Sequence, residues 1–263
     1  MPFPQPGNLA EGLCLHVAGR WGAGEVTLRE VQSGYNPSPQ VVEAIDRAWA
    51  SAKLRLGERL FDGPMCRLEG FDVENGTLTI RWSRTGYRNF LGTNMAHPDL
   101  PTEQRANPVG VSTALVTDDG WFMLGRRSGN VAYYPHRLHP FAGSLEPRDS
   151  VDLFDEARRE LLEELSLSAE EVVDLVMLGI VQDTKLNHPE TILHARTRLR
   201  RDQVEARMDR HEHAECWACR DEAEALLEAV ARVRAELTPV ALAAALLHGY
   251  SRFGSAWLRR FVP

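Results

Sequence analysis

The sequence has few cysteines and no long apolar run. Four cysteines in 263 residues are too few for a disulfide scaffold, which predicts a protein of a reducing compartment. The longest nearly continuous apolar stretch, residues 240–247, is much shorter than the roughly 20 residues that span a bilayer. Residues 1–12 lack a basic segment followed by an apolar one. We therefore expect a soluble cytoplasmic protein with no membrane partner.

Positive charge is also scarce. Lysine and arginine number 30 against 37 aspartates and glutamates, so the net charge is -7. This sign is unfavourable for a general polyanion binder, and we expect no nucleic-acid partner. The hydrophobic share of 43% is enough for the core of one large domain or two smaller ones. Nothing in the sequence indicates an oligomeric state.

The first part of the chain predicts an α+β unit. Residues 13–17 and 25–31 alternate like strands, and a helix is expected from Ser38-Pro39 onward. Residues 66–73 and 77–82 predict a strand pair joined by Glu74-Asn75-Gly76, where Asn-Gly favours a tight turn. Residues 97–108 contain three prolines and predict a linker. We place the domain boundary between residues 1–104 and 105–263.

Strands and helices alternate in the second part, which predicts an α/β class. The expected strands are 109–117, 121–124, 175–182, 191–199 and 215–219, and the expected helices are 150–165, 222–236 and 239–247.

The helix at 150–165 carries the most informative pattern. Glu160, Glu163 and Glu164 fall within about 100° of the helix circumference, beside an apolar face. Two such charges about 6 Å apart repel by roughly 3 kcal/mol at an effective dielectric constant of about 20. Oxygen ligands in this arrangement suit Mg²⁺, with Mn²⁺ as a second choice. The alternative is a solvated acidic helix face.

Charge changes sign just before this helix. Residues 121–148 have a net charge of +3, whereas residues 149–174 have a net charge of -8. Metal-assisted cleavage of a diphosphate needs both signs, because carboxylates hold the ions and arginines neutralise phosphate oxygens.

The sequence resembles the Nudix hydrolases, whose signature is G-x5-E-x7-R-E-U-x-E-E-x-G-U, with U a bulky aliphatic residue. The chain offers Gly143, then Asp149, then residues 159–167, which read RELLEELSL. It departs from the signature in having Asp149 for Glu, a spacer two residues longer, and Ser166 for Gly. The resemblance implies an α/β/α sandwich with a mixed sheet in residues 105–263, preceded by an N-terminal α+β subdomain that shapes the nucleotide site.

A closer resemblance is to the UDP-glucose diphosphatase branch of this family. It rests on Phe61-Asp62, Arg67-Leu68, residues 87–94 (YRNFLGTN), residues 126–128 and residues 178–180. The branch splits UDP-glucose or UDP-galactose into UMP and a sugar 1-phosphate with Mg²⁺. The resemblance therefore implies a nucleotide-sugar substrate and Mg²⁺ as cofactor.

The resemblance also implies roles for individual residues. Glu160 and Glu164, with Glu163, would bind the metal, and Arg159 would hold a carboxylate or a loop carbonyl. The residues implied to bind substrate are Phe61, Tyr87, Arg127, Ala132, His139, Ser144 and Glu146. At His139 and Ser144 the branch has an acid and a histidine instead. Arg126 and Arg127 would point apart on a strand, so only one is expected to meet phosphate.

Alternatives remain open. The substrate could be another nucleoside diphosphate derivative such as ADP-ribose, a dinucleotide or coenzyme A, or the chain could be a non-catalytic nucleotide sensor. Asp149, Glu212 or Glu215 could add a further carboxylate to the metal site.

The group His211, His213, Cys216 and Cys219 resembles a zinc knuckle. Four ligands within nine residues are too closely spaced for ordinary tetrahedral closure, however, and a buried strand is favoured.

Overall fold

The computed structural model describes residues 4–32 and 34–261, so part of the N-terminal segment analysed above, residues 1–3, lies outside the described residues. The strands are β1 Gly7–Ala10, β2 Leu13–Trp21, β3 Val26–Glu30, β4 Pro64–Glu74, β5 Thr77–Gly86, β6 Gly110–Val116, β7 Trp121–Arg127, β8 Leu138–His139, β9 Phe141–Ser144, β10 Val172–Asp183, β11 His188–Thr197 and β12 His213–Arg220. The helices are α1 Pro39–Leu56, α2 Tyr87–Phe90, α3 Leu153–Leu165, α4 Arg201–Arg207, α5 Ala223–Val233, α6 Pro239–Phe253 and α7 Ser255–Leu258.

A mixed nine-stranded sheet forms the centre of the molecule. Its main order is β1-β2-β10-β11-β6-β7-β12, with β8 paired to β7 and β9 paired to β6. The β11–β6 pair is parallel, whereas the other pairs are antiparallel. Helices α5 and α6 cover one face through an extensive apolar core. Helix α3 packs on the other face, so the predicted α/β sandwich with a mixed sheet is confirmed.

The three-stranded sheet β3-β5-β4 packs on the same side of the molecule as α3. Its Leu78 and Ile80 belong to one apolar cluster with residues of α3 and of the large sheet. The turn between β4 and β5 has Asn75 at φ 50° and Gly76 at φ 83°, as the Asn-Gly pair predicts.

The N-terminal part of the chain contributes to both sheets, because β1 and β2 join the large sheet beside β10. The segment predicted as a linker is held against β4, where Leu68 N donates to Asn107 O at 3.0 Å. Within it, the buried Arg105 donates to the carbonyls of Pro98 and Leu100. The division at residue 104 stays a prediction.

Helix ends differ from the sequence predictions by a few residues. Helix α3 begins at Leu153 rather than 150, because the Asp152 side chain caps it. Helix α6 continues past residue 247 to Phe253 and ends at Gly254, whose φ is 84°. Among the described residues, no helix is both long and apolar enough to cross a bilayer.

Candidate active site

Helix α3 is fixed at both ends. Asp152 accepts hydrogen bonds from the backbone N–H groups of Phe154 at 2.7 Å and Asp155 at 3.0 Å. At the other end Ser166 adopts a left-handed conformation with φ 52°, the position where the Nudix signature has glycine. The helix therefore presents a fixed set of carboxylates to the sheet.

Two of the three predicted metal-binding glutamates are buried. Glu160 is 7% exposed and Glu164 is 3% exposed, whereas Glu163 is exposed. A Cβ atom on Gly143 would overlap the Glu160 carboxylate, so a larger residue at this place in β9 would require that carboxylate or the strand to move. The solvated acidic face considered above therefore describes Glu163 but not Glu160 or Glu164.

The surroundings compensate the charges of the buried carboxylates only in part. Burial raises the pKa of Glu160 to about 8; Arg159 opposes this rise and Glu164 adds to it. Burial also raises the pKa of Glu164 well above its ordinary value, and the neighbouring Glu212 adds to the rise. Such groups favour a nearby cation that would stabilise their ionised forms.

Arg159 contacts carboxylates on its own helix, as predicted. It pairs with Glu156 and Glu160, and its Nη1 lies 2.6 Å from Glu163 Oε2. Sequence reasoning missed Glu156, which is 3% exposed and lies one helical turn before Glu160 on the same face. Asp149, the residue at the signature's first carboxylate position, is exposed.

Arg126 and Arg127 point in different directions, as expected for strand neighbours. Arg126 pairs with Glu215 at 2.6 Å and with Glu236 at 2.8 Å. The Arg127 guanidinium lies 4.9 Å from the centre of the Tyr133 ring. Its Nε is buried and has no hydrogen-bond partner among the described residues. Its positive charge lowers the pKa of both Glu164 and Glu190.

The segment before β12 brings a further acidic residue, Glu212, close to helix α3. Asp209 N donates to Glu164 O at 2.7 Å, and Ser128 N donates to Glu212 O at 2.8 Å. These bonds hold the segment between the end of α3 and the end of β7. Because Glu215 is paired with Arg126, Glu212 is the late carboxylate that lies beside Glu164.

The four side chains of the possible zinc knuckle have different surroundings. His211 is exposed, and Cys216 Sγ lies 3.1 Å from Met208 Sδ. Cys219 belongs to the apolar core under α5 and α6. His213 is 2% exposed, and its Nε2 lies 3.1 Å from Glu164 Oε2. Burial lowers the pKa of His213 to about 4, which leaves the ring neutral at pH 7.

A cavity of about 810 Å³ opens between α1, the start of β4, α2 and the β7–β9 region. Its lining brings together five residues of the predicted substrate set: Phe61, Tyr87, Ala132, Ser144 and Glu146. Leu56, Leu60, Met65, Leu91 and Met95 add an apolar wall. His139 lies elsewhere; it is buried, and its Nδ1 is 2.8 Å from Thr238 Oγ1.

Ion pairs connect this cavity to helix α3. Glu146, at the cavity, accepts a hydrogen bond from Arg148 at 3.1 Å. Arg148 in turn lies 3.5 Å from Glu156, which pairs with Arg159. The cavity therefore lies near the start of the carboxylate helix.

The donor set fits a divalent cation, although the described residues contain no preformed cluster of three or more metal-ligating side chains. Glu164 Oε2 is buried without a hydrogen-bond partner in residues 4–32 and 34–261. This oxygen and the second buried carboxylate, that of Glu160, could supply the first oxygen ligands of a divalent cation. Oxygens of water or substrate would complete its coordination.

The chain is similar in sequence to curated proteins. No family profile matches the chain. The uridine diphosphate glucose pyrophosphatase NUDT22 of Bos taurus is 27% identical over 203 residues, covering 64% of this chain and 70% of the relative. The Homo sapiens NUDT22 is likewise 27% identical over 203 residues, covering 64% of this chain and 67% of the relative. The chain is therefore similar to Nudix hydrolases. Its predicted resemblance to the UDP-glucose branch is confirmed.

Solved structures of Nudix proteins are also similar to the chain. A Nudix hydrolase from Nitrosomonas europaea is 17% identical, with a TM-score of 0.39, and covers 55% of this chain and 89% of that protein. A mutT/nudix family protein from Listeria innocua is 19% identical, with a TM-score of 0.39, and covers 58% of this chain and 95% of that protein.

Proposed function

We propose that the chain is a Mg²⁺-dependent pyrophosphohydrolase that converts UDP-glucose or UDP-galactose to UMP and the sugar 1-phosphate, with Mn²⁺ as a possible substitute. The observation that carries the proposal is the cavity lined by Phe61 and Tyr87, which lies near a helix with two buried carboxylates, Glu160 and Glu164. Its volume of about 810 Å³ falls within the range of small-molecule sites, about 300–1,000 Å³. The NUDT22 relatives, named as UDP-glucose pyrophosphatases, support this substrate.

The residues divide into those for the nucleotide and those for the diphosphate. Phe61 and Tyr87 have flat faces suited to stacking on uracil. Glu146 is suited to accept hydrogen bonds from ribose or sugar hydroxyls. Arg127, which has no ion-pair partner among the described residues, would neutralise the diphosphate.

The metal would be held by Glu160 and Glu164, with Glu163 as the predicted third ligand. A divalent ion supplies neutralisation of phosphate oxygens and a lowered pKa for water. Water then adds to one phosphorus, the P–O–P bond breaks, and each product keeps one phosphate. Arg159, which holds Glu160 and Glu163, would keep the carboxylates in place.

A variant of one buried carboxylate tests the proposal. Glu160→Gln keeps the size of the side chain but removes its charge. We expect Mg²⁺-dependent release of UMP to fall by more than about 100-fold, since loss of outer-shell partners alone typically lowers metal affinity or activity about 10- to 100-fold. The matched control is Glu43→Gln, at an exposed position on α1, which should leave activity unchanged.

Full activity of Glu160→Gln would contradict the proposal. A substrate panel with ADP-ribose, a dinucleotide and coenzyme A completes the test. Faster cleavage of any of these than of both UDP-sugars would keep the diphosphate chemistry but exclude the proposed substrate.

A further inference from the structure

His213 is a buried imidazole whose ring nitrogens have no hydrogen-bond partner among the described residues. It is 2% exposed, and neither Nδ1 nor Nε2 is hydrogen-bonded within the described part of the chain. Buried polar atoms are nearly always paired, so a ring with two unpaired nitrogens needs an explanation. Glu164 Oε2, the unpartnered carboxylate oxygen of α3, is its neighbour.

The two atoms are close together but do not form a hydrogen bond. His213 Nε2 and Glu164 Oε2 are 3.1 Å apart, a normal hydrogen-bond distance, yet both lack a partner of acceptable geometry. The two atoms are therefore close enough for a hydrogen bond, but the angles between them are unsuitable for one. Donor atoms about 2.0–2.1 Å from one ion are separated by about 2.8–3.0 Å in octahedral geometry and about 3.3–3.4 Å in tetrahedral geometry. The observed separation lies between these values.

The surrounding residues hold the imidazole in this position. A Cβ atom on Gly125 would overlap the ring, so the glycine in β7 provides its space. Phe141 packs edge-on against it, with ring centres 5.4 Å apart. His213 N donates to Asp209 O at 3.2 Å, which ties the start of β12 to the segment that binds the end of α3.

We propose that His213 is a nitrogen ligand of the divalent ion bound by Glu164, so that the site has mixed nitrogen and oxygen donors. The proposal rests on the proposed function for the presence of a metal ion, and adds a ligand that lies outside the carboxylate helix. Imidazole suits transition metals better than it suits Mg²⁺. The site should therefore bind Mn²⁺ or Co²⁺ more tightly than Mg²⁺.

Pulsed electron paramagnetic resonance of the Mn²⁺-loaded chain, without nucleotide, tests the proposal. We expect modulation from a directly bound ¹⁴N nucleus in the wild type. His213→Ala should abolish the modulation and weaken Mn²⁺ binding by about 10-fold or more. His211→Ala, which changes the exposed histidine two residues away, should leave both unchanged.

Mn²⁺ binding without nitrogen modulation would overturn the proposal, as would modulation that persists in His213→Ala or a failure to bind Mn²⁺. The wild-type spectrum needs no variant, and His213→Gln provides the same comparison if the alanine variant does not fold. Cleavage of UDP-glucose is measured separately. A nitrogen-coupled metal without turnover would contradict the proposed function alone, and turnover with an oxygen-only metal site would contradict this inference alone.

Discussion

Gly143→Ala perturbs the site by adding one methyl group where the Glu160 carboxylate now lies. The added Cβ overlaps that carboxylate, so Glu160 must move or β9 must shift away from α3. Overpacking of this kind typically costs about 1–3 kcal/mol. If all of it is lost from transition-state stabilisation, the rate falls about 5- to 160-fold, because 1.36 kcal/mol corresponds to a factor of ten.

The assay is UMP release from saturating UDP-glucose with Mg²⁺, accompanied by urea denaturation to separate activity from stability. Gly24→Ala is the matched control, because its Cβ would meet no atom within 4 Å and should change neither quantity. We expect Gly143→Ala to lose activity; a denaturation midpoint close to that of the wild type would show that the cost falls on the site rather than on folding. Wild-type activity in Gly143→Ala would refute the placement of Glu160 against this glycine.

Three further predictions concern the phosphate site, pH dependence and helix capping. Arg127→Ala should lower kcat/KM by about 10²–10³-fold. Arg126→Ala, which loses its ion pairs with Glu215 and Glu236 and a hydrogen bond to His136 O, should keep nearly full activity; equal losses would contradict the assignment. Burial raises the pKa of Glu190 to about 8 in the folded chain, whereas its ordinary value is 4.5. Between pH 4.5 and pH 8 the folded chain therefore keeps a proton that the unfolded chain has lost. This group lowers the free energy of unfolding progressively as the pH rises from 4.5 to 8. Glu190→Gln should therefore reduce the fall in unfolding free energy from pH 5 to pH 8, measured with urea, and an unchanged pH profile would exclude this effect. Asp152→Ala should lower the unfolding free energy by about 1 kcal/mol, with recovery in Asp152→Asn; no loss would mean that the cap is dispensable.

The carboxylate helix could be predicted from the sequence because its signals are local. The spacing of Glu160 and Glu164 places both on one helix face, and Asp152 and Ser166 mark its ends. Glu156 could have been found by the same reasoning, since it lies four residues before Glu160.

Other features depend on contacts between distant residues. The pairing of β2 with β10 joins Leu15 to Val181, and no local pattern indicates that an N-terminal strand lies beside a C-terminal one. His213 contacts Glu164 only because the segment before β12 folds back onto α3. The glycine at position 125 is compatible with many roles until the ring that packs on it is known.

Some of the residues implied to bind substrate line one cavity, and one of them lies elsewhere. The resemblance brought Phe61, Tyr87 and Glu146 into one group, and they line the same cavity. It also included His139, which instead contacts Thr238 beneath α6. Ser144 in β9 lines the cavity and His139 in β8 does not, a difference that a motif comparison does not resolve.

The most direct test of the proposed function is an incubation of the purified chain with UDP-glucose, with and without Mg²⁺, followed by separation of UMP, UDP, glucose and glucose 1-phosphate. The proposed function predicts UMP and glucose 1-phosphate in equal amounts, and only when the metal is present. UDP with free glucose would show cleavage of the wrong bond, and products formed equally well without a divalent metal would contradict the role assigned to Glu160 and Glu164.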